Sequence, residues 1–461
     1  MIRKWLRRCW LGVSLPCTLN LLLCMSQMEY LWKKIPAAGF LRGFLLSAVI
    51  VVLAVQYVCL LTMPAKDRRG SRTGLRVRMM LGGGRLVYCG LYTMAVQIWV
   101  FCRFYISSAL LVSVGPVLLT VNAVLACAGC FLLLADGVLR MICTSRRLGI
   151  VRRAVMVFIM WIPVVNVVVL LYACRLIREE YDFEWEKAKL RELRVDSEIC
   201  RTRYPLVMVH GIGFRDLRYF NYWGRIPGEL KRNGATVYYG NQEALGTIVY
   251  NAEDIRKRIL QIREETGCEK VNVIAHSKGG LDARYAISKL GMAPYVASLT
   301  TMNTPHRGCR FVDYACGLPD GLYRLVACYF DRTFSRLGDR NPDFYTATHQ
   351  FSTRESERFN QQVPDALEVY YQSYTSKMKH PWSHLLLCIP YCMIRPLEGD
   401  NDGLVSVNSA KWGEFQGIFS NVHTRGISHG DIIDLKREDY KGFDVTETYV
   451  QIVSRLREKG F

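Results

Sequence analysis

The string Ala275-His276-Ser277-Lys278-Gly279-Gly280 has the residue types of a serine nucleophile raised on a tight turn. It directly follows the apolar run Val271–Ile274 and precedes the helical pattern Leu281–Leu290. A small residue two before the serine and a glycine two after it permit the strained strand-to-helix turn that lifts a hydroxyl into solvent. Alanine stands where the strict pattern has glycine, and it is small enough to serve. An ordinary serine N-cap would give a similar string; the position between a strand and a helix favours the nucleophile.

A serine hydroxyl attacks an ester only with a base beside it and an acid that orients the base. On a strand-turn-helix nucleophile these partners follow in the order acid, then histidine. Two histidines lie late enough: His423, in the expected strand Phe419–Thr424, and His429, in the loop Ile427-Ser-His-Gly-Asp431. A histidine that must reach a serine belongs on a loop beyond a strand, which favours His429 and leaves His423 as a sheet residue. Asp402, in the turn-prone Asn401-Asp402-Gly403-Leu404-Val405, is the expected acid, with Asp400 as its neighbour and competitor. The oxyanion of ester attack needs backbone donors at the start of the helix after the nucleophile and on an early loop. Lys278 offers the first N–H, and Ile212 in His210-Gly211-Ile212-Gly213 offers the second. That loop has neither a P-loop lysine nor G-x-G-x-x-G spacing, so a phosphate cradle is not expected.

These residues need a scaffold, and from Arg203 onward short apolar runs alternate with amphipathic helices. Tyr204–Val209, Ala235–Tyr239, Lys270–Ala275 and Ser298–Met302 read as buried strands, while Ile255, Ile259 and Ile262 recur at helical spacing. This is the signature of an α/β fold with a mostly parallel sheet flanked by helices.

The first part of the chain is different in kind. Residues 1–174 carry 20 basic and 3 acidic groups, whereas residues 175–461 carry 40 and 37, so nearly all of the net +20 lies in the first part. The basic residues fall in short clusters between apolar runs, which points to a bilayer and away from nucleic acid. A helix needs about 20 apolar residues to span about 30 Å of hydrocarbon. Five segments meet this, roughly Trp10–Gln27, Phe44–Met63, Leu86–Cys102, Ile106–Leu134 and Ala154–Cys174, and Pro116 is expected to kink the fourth. Arg3, Lys4, Arg7 and Arg8 precede the first as they would a signal peptide, but no clear cleavage site follows, which favours an uncleaved anchor. With five spans the basic clusters share one face, so the positive-inside rule leads us to expect the C-terminal domain on the extracytoplasmic side. Joining the third and fourth segments would flip it inside, and the free cysteines lean toward a reducing side. The 17 cysteines form neither a disulfide framework nor a zinc pattern. Residues 175–202 switch to alternating charge, as expected of a solvated linker helix.

Residues from about 203 to 458 resemble the bacterial triacylglycerol lipases of the α/β-hydrolase superfamily. The likeness runs in order through YPLVMVHGIGF, YWGRIPGELKRNGATVYYGN, KVNVIAHSKGGLDARYA, NTPHRG, NDGLV and SHGDIID. It implies an α/β-hydrolase fold, Ser277 as nucleophile, Asp402 as acid, His429 as base, and Ile212 and Lys278 as oxyanion donors. It also implies a structural calcium at Asp431, although Leu435 is a non-ligand where the family has a partner carboxylate. A lid over the acyl cleft is expected within about 309–395, in the insertion that contains Phe311–Phe334. The sum is a membrane-anchored serine lipase or esterase that needs no cofactor for its chemistry and acts on a lipid ester. The same residues would serve a phospholipase or an acyltransferase. A membrane scaffold or transporter with a degenerate hydrolase appendage is the non-enzymatic alternative, and few intramembrane charges support it.

Overall fold

The computed structural model describes residues 2–32, 39–67, 73–105, 115–194, 197–213, 221–423 and 425–461. Two compact units emerge, Met1–Leu193 and Arg194–Phe461.

The first unit is all-α: α1 (Ile2–Leu19), α2 (Leu21–Trp32), α3 (Gly39–Thr62), α4 (Leu75–Val100), α5 (Pro116–Thr144), α6 (Ile150–Ile159) and α7 (Val165–Arg194). Among the described residues, three stretches are long and apolar enough to cross a membrane: Gly43–Thr62, Leu75–Arg103 and Pro116–Thr144. Cys9–Leu19 and Leu21–Gln27 form a further apolar pair bent by 88°. Helices α4 and α5 lie in close backbone contact, because a Cβ on Gly83 would fall 2.8 Å from the Gly137 carbonyl oxygen. Small residues that admit such an approach are typical of helix pairs in lipid.

Three expectations change here. The first apolar segment is a bent pair rather than one helix. Pro116 opens α5 instead of kinking it, where its missing N–H costs nothing; residues 106–114 of the expected fourth segment lie outside the described residues. The expected fifth span, Ala154–Cys174, is interrupted at Met160–Val164 between α6 and α7. Pro163 cannot donate to a helix, and Val164 has φ of +66°, outside the helical region.

The second unit is built on six parallel strands: β1 (Leu206–Val209), β2 (Val237–Tyr239), β3 (Val271–His276), β4 (Val296–Met302), β5 (Tyr370–Ser376) and β6 (Glu414–Phe419). Their order is β2-β1-β3-β4-β5-β6. Around them lie α8 (Ile226–Arg232), α9 (Ile248–Thr266), α10 (Lys278–Lys289), α11 (Arg310–Cys316), α12 (Asp320–Arg336), α13 (Phe344–His349), α14 (Thr353–Gln362), α15 (Cys388–Glu398), α16 (Val407–Ala410) and α17 (Val445–Glu458). Strands β1, β3 and β4 are buried along their whole length because both faces of the sheet are covered there, as parallel sheets require. Leu206, Met208, Ile274 and Met302 pack with Trp223, Ile226 and Leu230 around α8 and with Tyr449, Ile452 and Val453 of α17. Val207, Val209, Val273 and Leu299 pack against Ile255, Ile259 and Ile262 of α9 and Ala283, Ala286 and Ile287 of α10. The strand order and the serine on the β3–α10 turn are those of an α/β-hydrolase.

The expected strand around Phe419–Thr424 is displaced. It ends at Phe419 as β6, and His423 follows in a bend. The range 309–395, within which a lid is expected, also holds β5, a central strand bonded to both β4 and β6. Its polar sequence Gln372-Ser-Tyr-Thr-Ser376 hides it from a hydrophobicity reading, yet those residues are buried, with Gln372 Nε2 donating to Thr300 Oγ1 at 2.8 Å and Ser373 Oγ to the Trp412 carbonyl at 2.6 Å.

Candidate active site

Three loops at the C-terminal edge of the sheet bring the expected residues toward one place. Ser277 sits between β3 and α10 with φ 52° and ψ −128°. This conformation is sparsely populated for a residue with a side chain and falls at the strand-to-helix turn expected from the sequence. The turn is held by its own backbone: Ser277 N–H donates to the Met302 carbonyl at 2.9 Å, and Gly280 N–H to the Ser277 carbonyl at 3.1 Å.

Asp402 is fully buried in the turn after α15. Its Oδ1 accepts the N–H groups of Leu404 (2.8 Å) and Val405 (2.7 Å), and its Oδ2 accepts Asn303 Nδ2 (2.6 Å) and His429 Nδ1 (2.6 Å). Asp400, the competitor, points elsewhere and pairs with Lys377 at 2.7 Å and with Arg395. The Lys377 ammonium holds the Asp400 carboxyl below the usual carboxylate range. With Nδ1–H committed to Asp402, His429 presents Nε2 as an acceptor. Its ring lies 4.5 Å from that of His276, the residue preceding Ser277, which brings the imidazole to the elbow. Burial, with the neighbouring His429, holds His276 well below its ordinary value, and its Nδ1 pairs with the Tyr222 hydroxyl at 2.6 Å.

The early loop is fixed from both sides. His210 Nε2 contacts the Gln242 carbonyl at 3.0 Å, Gln242 Nε2 donates to the His210 carbonyl at 2.9 Å, and Gly213 N–H donates to Ala244 at 3.0 Å. Gly211 touches the elbow: a Cβ there would lie 2.9 Å from Ser277 Cβ and 2.7 Å from the Tyr222 hydroxyl. Ile212 follows with its side chain packed beside Ile248, Leu281 and Phe351. Lys278 opens α10, so its amide is among those a helix start leaves without an internal acceptor. The Lys278 side chain turns inward to a buried ion pair with Asp282 at 2.5 Å. Burial pushes the amine down and the Asp282 carboxyl up to about 6. Lys278 can therefore offer the site only its backbone.

Asp431, the calcium ligand implied by the resemblance, is already surrounded by hydrogen donors. It accepts Tyr440 OH (2.7 Å), Ser428 N–H (3.1 Å) and Arg425 Nη2 (3.2 and 3.3 Å). A calcium site needs several oxygen ligands, and here a guanidinium and a phenol take those positions while Leu435 offers none. These residues do not fit a calcium ion; they tie the His429 loop down with an ion pair.

Residues that sequence reading left aside also act at this site. Asn303, in the NTPHRG block, stands immediately after β4 with φ of +51° and clamps Asp402 while also donating to Ser376 Oγ at 2.7 Å. Glu243 accepts the N–H of Arg340 (2.8 Å) and of Asn341 (2.9 Å), and Asp339 returns the clamp by accepting Leu245 N–H (2.9 Å). This pair anchors the chain just beyond α12, whose Leu322, Leu325, Val326 and Tyr329 form an exposed apolar stripe.

A family model described as "Putative serine esterase (DUF676)" matches residues 206–319. Triacylglycerol lipase 2 of Saccharomyces cerevisiae is 29% identical over 268 residues, which are 54% of this chain and 77% of that protein. A triacylglycerol lipase of Pseudarthrobacter phenanthrenivorans is 33% identical over 179 residues, so the chain spans only 55% of its length and aligns through 36% of its own. Among solved structures, the mature Bacillus licheniformis lipase BlEst2 aligns with 54% of this chain and 91% of its own at 20% identity and a TM-score of 0.41. Sheet topology and sequence relatives together class the C-terminal unit with the serine ester hydrolases.

Proposed function

We propose that this protein is a membrane-anchored lipase or esterase that hydrolyses carboxylic esters of lipids through Ser277, His429 and Asp402. The observation that carries this reading is the His429–Asp402 hydrogen bond beside a serine held at positive φ. In the reaction Ser277 Oγ attacks the ester carbonyl as His429 Nε2 takes its proton. The Ile212 and Lys278 N–H groups receive the negative charge on the carbonyl oxygen. The proton then passes from His429 to the leaving alcohol, giving an acyl ester on Ser277. Water deprotonated by the same imidazole attacks that ester and releases the fatty acid. Asp402 stays ionised and keeps the imidazole in the tautomer that can accept a proton. The imidazolium returns the proton taken from water to the departing Ser277 Oγ, which regenerates the free enzyme.

Two features support a lipid as the ester. The named relatives are triacylglycerol lipases, and apolar helices in the first unit would keep the enzyme at a bilayer. The insertion α11–α12, with its exposed apolar stripe, serves as the lid. The test is hydrolysis by the full-length protein in proteoliposomes of a panel of tri-, di- and monoacylglycerols and diacylphospholipids, with Ser277→Ala as control. Fatty-acid release that Ser277→Ala abolishes is the expected result. Transfer of the acyl group to an added alcohol with no free acid released would instead make the enzyme an acyltransferase.

A further inference from the structure

We infer that residues 150–175 do not cross the membrane but form a helical hairpin inserted into one leaflet, so that the hydrolase unit lies on the cytosolic face. The first observation is that the chain reverses direction. At one end, Glu180 of α7 accepts Ser145 Oγ (2.6 Å) and the N–H groups of Arg146 and Arg147 (both 3.1 Å), just before α6 begins. At the other end, Asn166 Nδ2 of α7 donates to the Met160 carbonyl at 3.1 Å, just after α6 finishes. The helices therefore run antiparallel, level at both ends, with the turn Trp161-Ile-Pro-Val164 between them.

The second observation is length. Each apolar leg, Ile150–Ile159 and Val165–Cys174, has ten residues, which is about 15 Å of helix against about 30 Å of hydrocarbon. The legs also pack mainly on one end of their neighbours, with the partly buried Leu91 and Leu134 at the far edge of the cluster. Met156, Leu170, Ala173, Cys174 and Ile177 join Val77, Met80 and Val87 from the first half of α4 and Val138 and Met141 from the last third of α5.

The third is the surface. The tip presents Trp161 at 88% and Val164 at 75% exposure, and the outer flanks present Phe158 and Val168. Both bases are cationic, with Arg152 and Arg153 on one leg and Arg175 and Arg178 on the other. An apolar wedge half a bilayer deep with basic residues at its mouth suits the acyl chains and anionic headgroups of one leaflet.

Sidedness follows from this reversal. Arg76 in the first turn of α4 donates to the Thr144 carbonyl at 2.6 Å and to Glu180 at 2.9 Å, so the start of α4, the end of α5 and the exit of α7 share one level. That level carries Lys66, Arg76 and Arg78 together with Arg140, Arg146, Arg147, Arg152 and Arg153, while the stretch 101–135 contains Arg103 as its sole charge. Lys and Arg accumulate on the cytoplasmic side. The cysteines agree: none of the 17 is in a disulfide, as in a reducing compartment.

The test uses the full-length protein with one epitope in the α3–α4 connection after Gly70, and in a second version after Phe461. Antibody access is read in cells before and after selective opening of the cytosolic side. Both epitopes are expected to become accessible together, only when the cytosol is opened. Access to the two epitopes from opposite sides overturns the hairpin, and access to both from the non-cytosolic side overturns the sidedness. The unmodified chain gives an independent reading: trypsin added to sealed vesicles with the cytosolic face outward should cut both within Lys66–Arg78 and within Lys187–Arg194. Protection of the second region alone would contradict the inference.

Discussion

His429 and Asp402 are joined twice, ring Nδ1 to carboxylate Oδ2 at 2.6 Å and main-chain N–H to main-chain carbonyl at 2.9 Å. The second bond fixes where the histidine loop begins, and the first fixes which way its ring faces. Together they make the imidazole a part of the Asp402 turn, so its aim depends on a carboxylate that has no exposure of its own.

Asp402→Asn keeps the shape of this turn but offers an amide where the Nδ1–H needs an acceptor. The wrong tautomer is then favoured and Nε2 no longer accepts the serine proton. The expected outcome is a fall in kcat of about 10³–10⁴-fold with little change in KM, read on a soluble short-chain ester. Asp400→Asn, which touches only Lys377 and Arg395, should leave kcat within a few-fold of wild type.

Gly211→Ala places a methyl 2.9 Å from Ser277 Cβ and 2.7 Å from the Tyr222 hydroxyl. The tyrosine can give way, but the elbow is fixed by the β3–β4 ladder and has no room to move. The serine or the early loop must shift, and displacement of about 1 Å at a reacting group costs on the order of 10²-fold in rate. Measured kcat should fall by that order while the thermal unfolding temperature changes little.

Glu243 carries the acid dependence of the anchor beyond α12. Burial alone would raise its carboxyl, but the amides of Asn341 and Arg340 and the Arg340 guanidinium outweigh it and hold the carboxyl below its ordinary 4.5. A depressed carboxyl stabilises the fold above the unfolded value and loses that contribution as pH falls through the folded one. Glu243→Gln should therefore cost about 1.5–3 kcal/mol near pH 7, the usual value of hydrogen bonds to a charged group. The gap to wild type should narrow as pH drops below 4.5, as seen in urea unfolding across that range. A gap independent of pH would mean the ionised form is not what holds the turn.

The nucleophile turn was legible because its neighbours change period there, from a run of apolar residues to a helical repeat, at a serine followed by two glycines. The contrast of loop against strand does not hold for His423, which lies in a bend beyond β6, and it is the hydrogen bond to Asp402 that distinguishes His429. Asn303 and Glu243 were not legible, since their partners lie 99 and 97 residues away and no local pattern carries such a contact. Strand β5 was missed because its buried residues are largely polar, and partners such as Thr300, Trp412 and Asn303 are distant in sequence. The segment Ala154–Cys174 misled for a different reason. A count of apolar residues measures whether a stretch prefers lipid, whereas the reversal at Pro163-Val164 depends on backbone direction. Asp431 shows the limit of resemblance: the carboxylate is in the family's place, but Arg425 and Tyr440 occupy its oxygens.

The account stands on Ser277 as an activated nucleophile, and labelling of the full-length protein in its membrane with a fluorophosphonate probe tests that most directly. Wild type should label at Ser277, Ser277→Ala should not, and Asp402→Asn should label far more slowly. Wild-type protein that is folded yet unlabelled, or a Ser277→Ala variant that still labels, would contradict it.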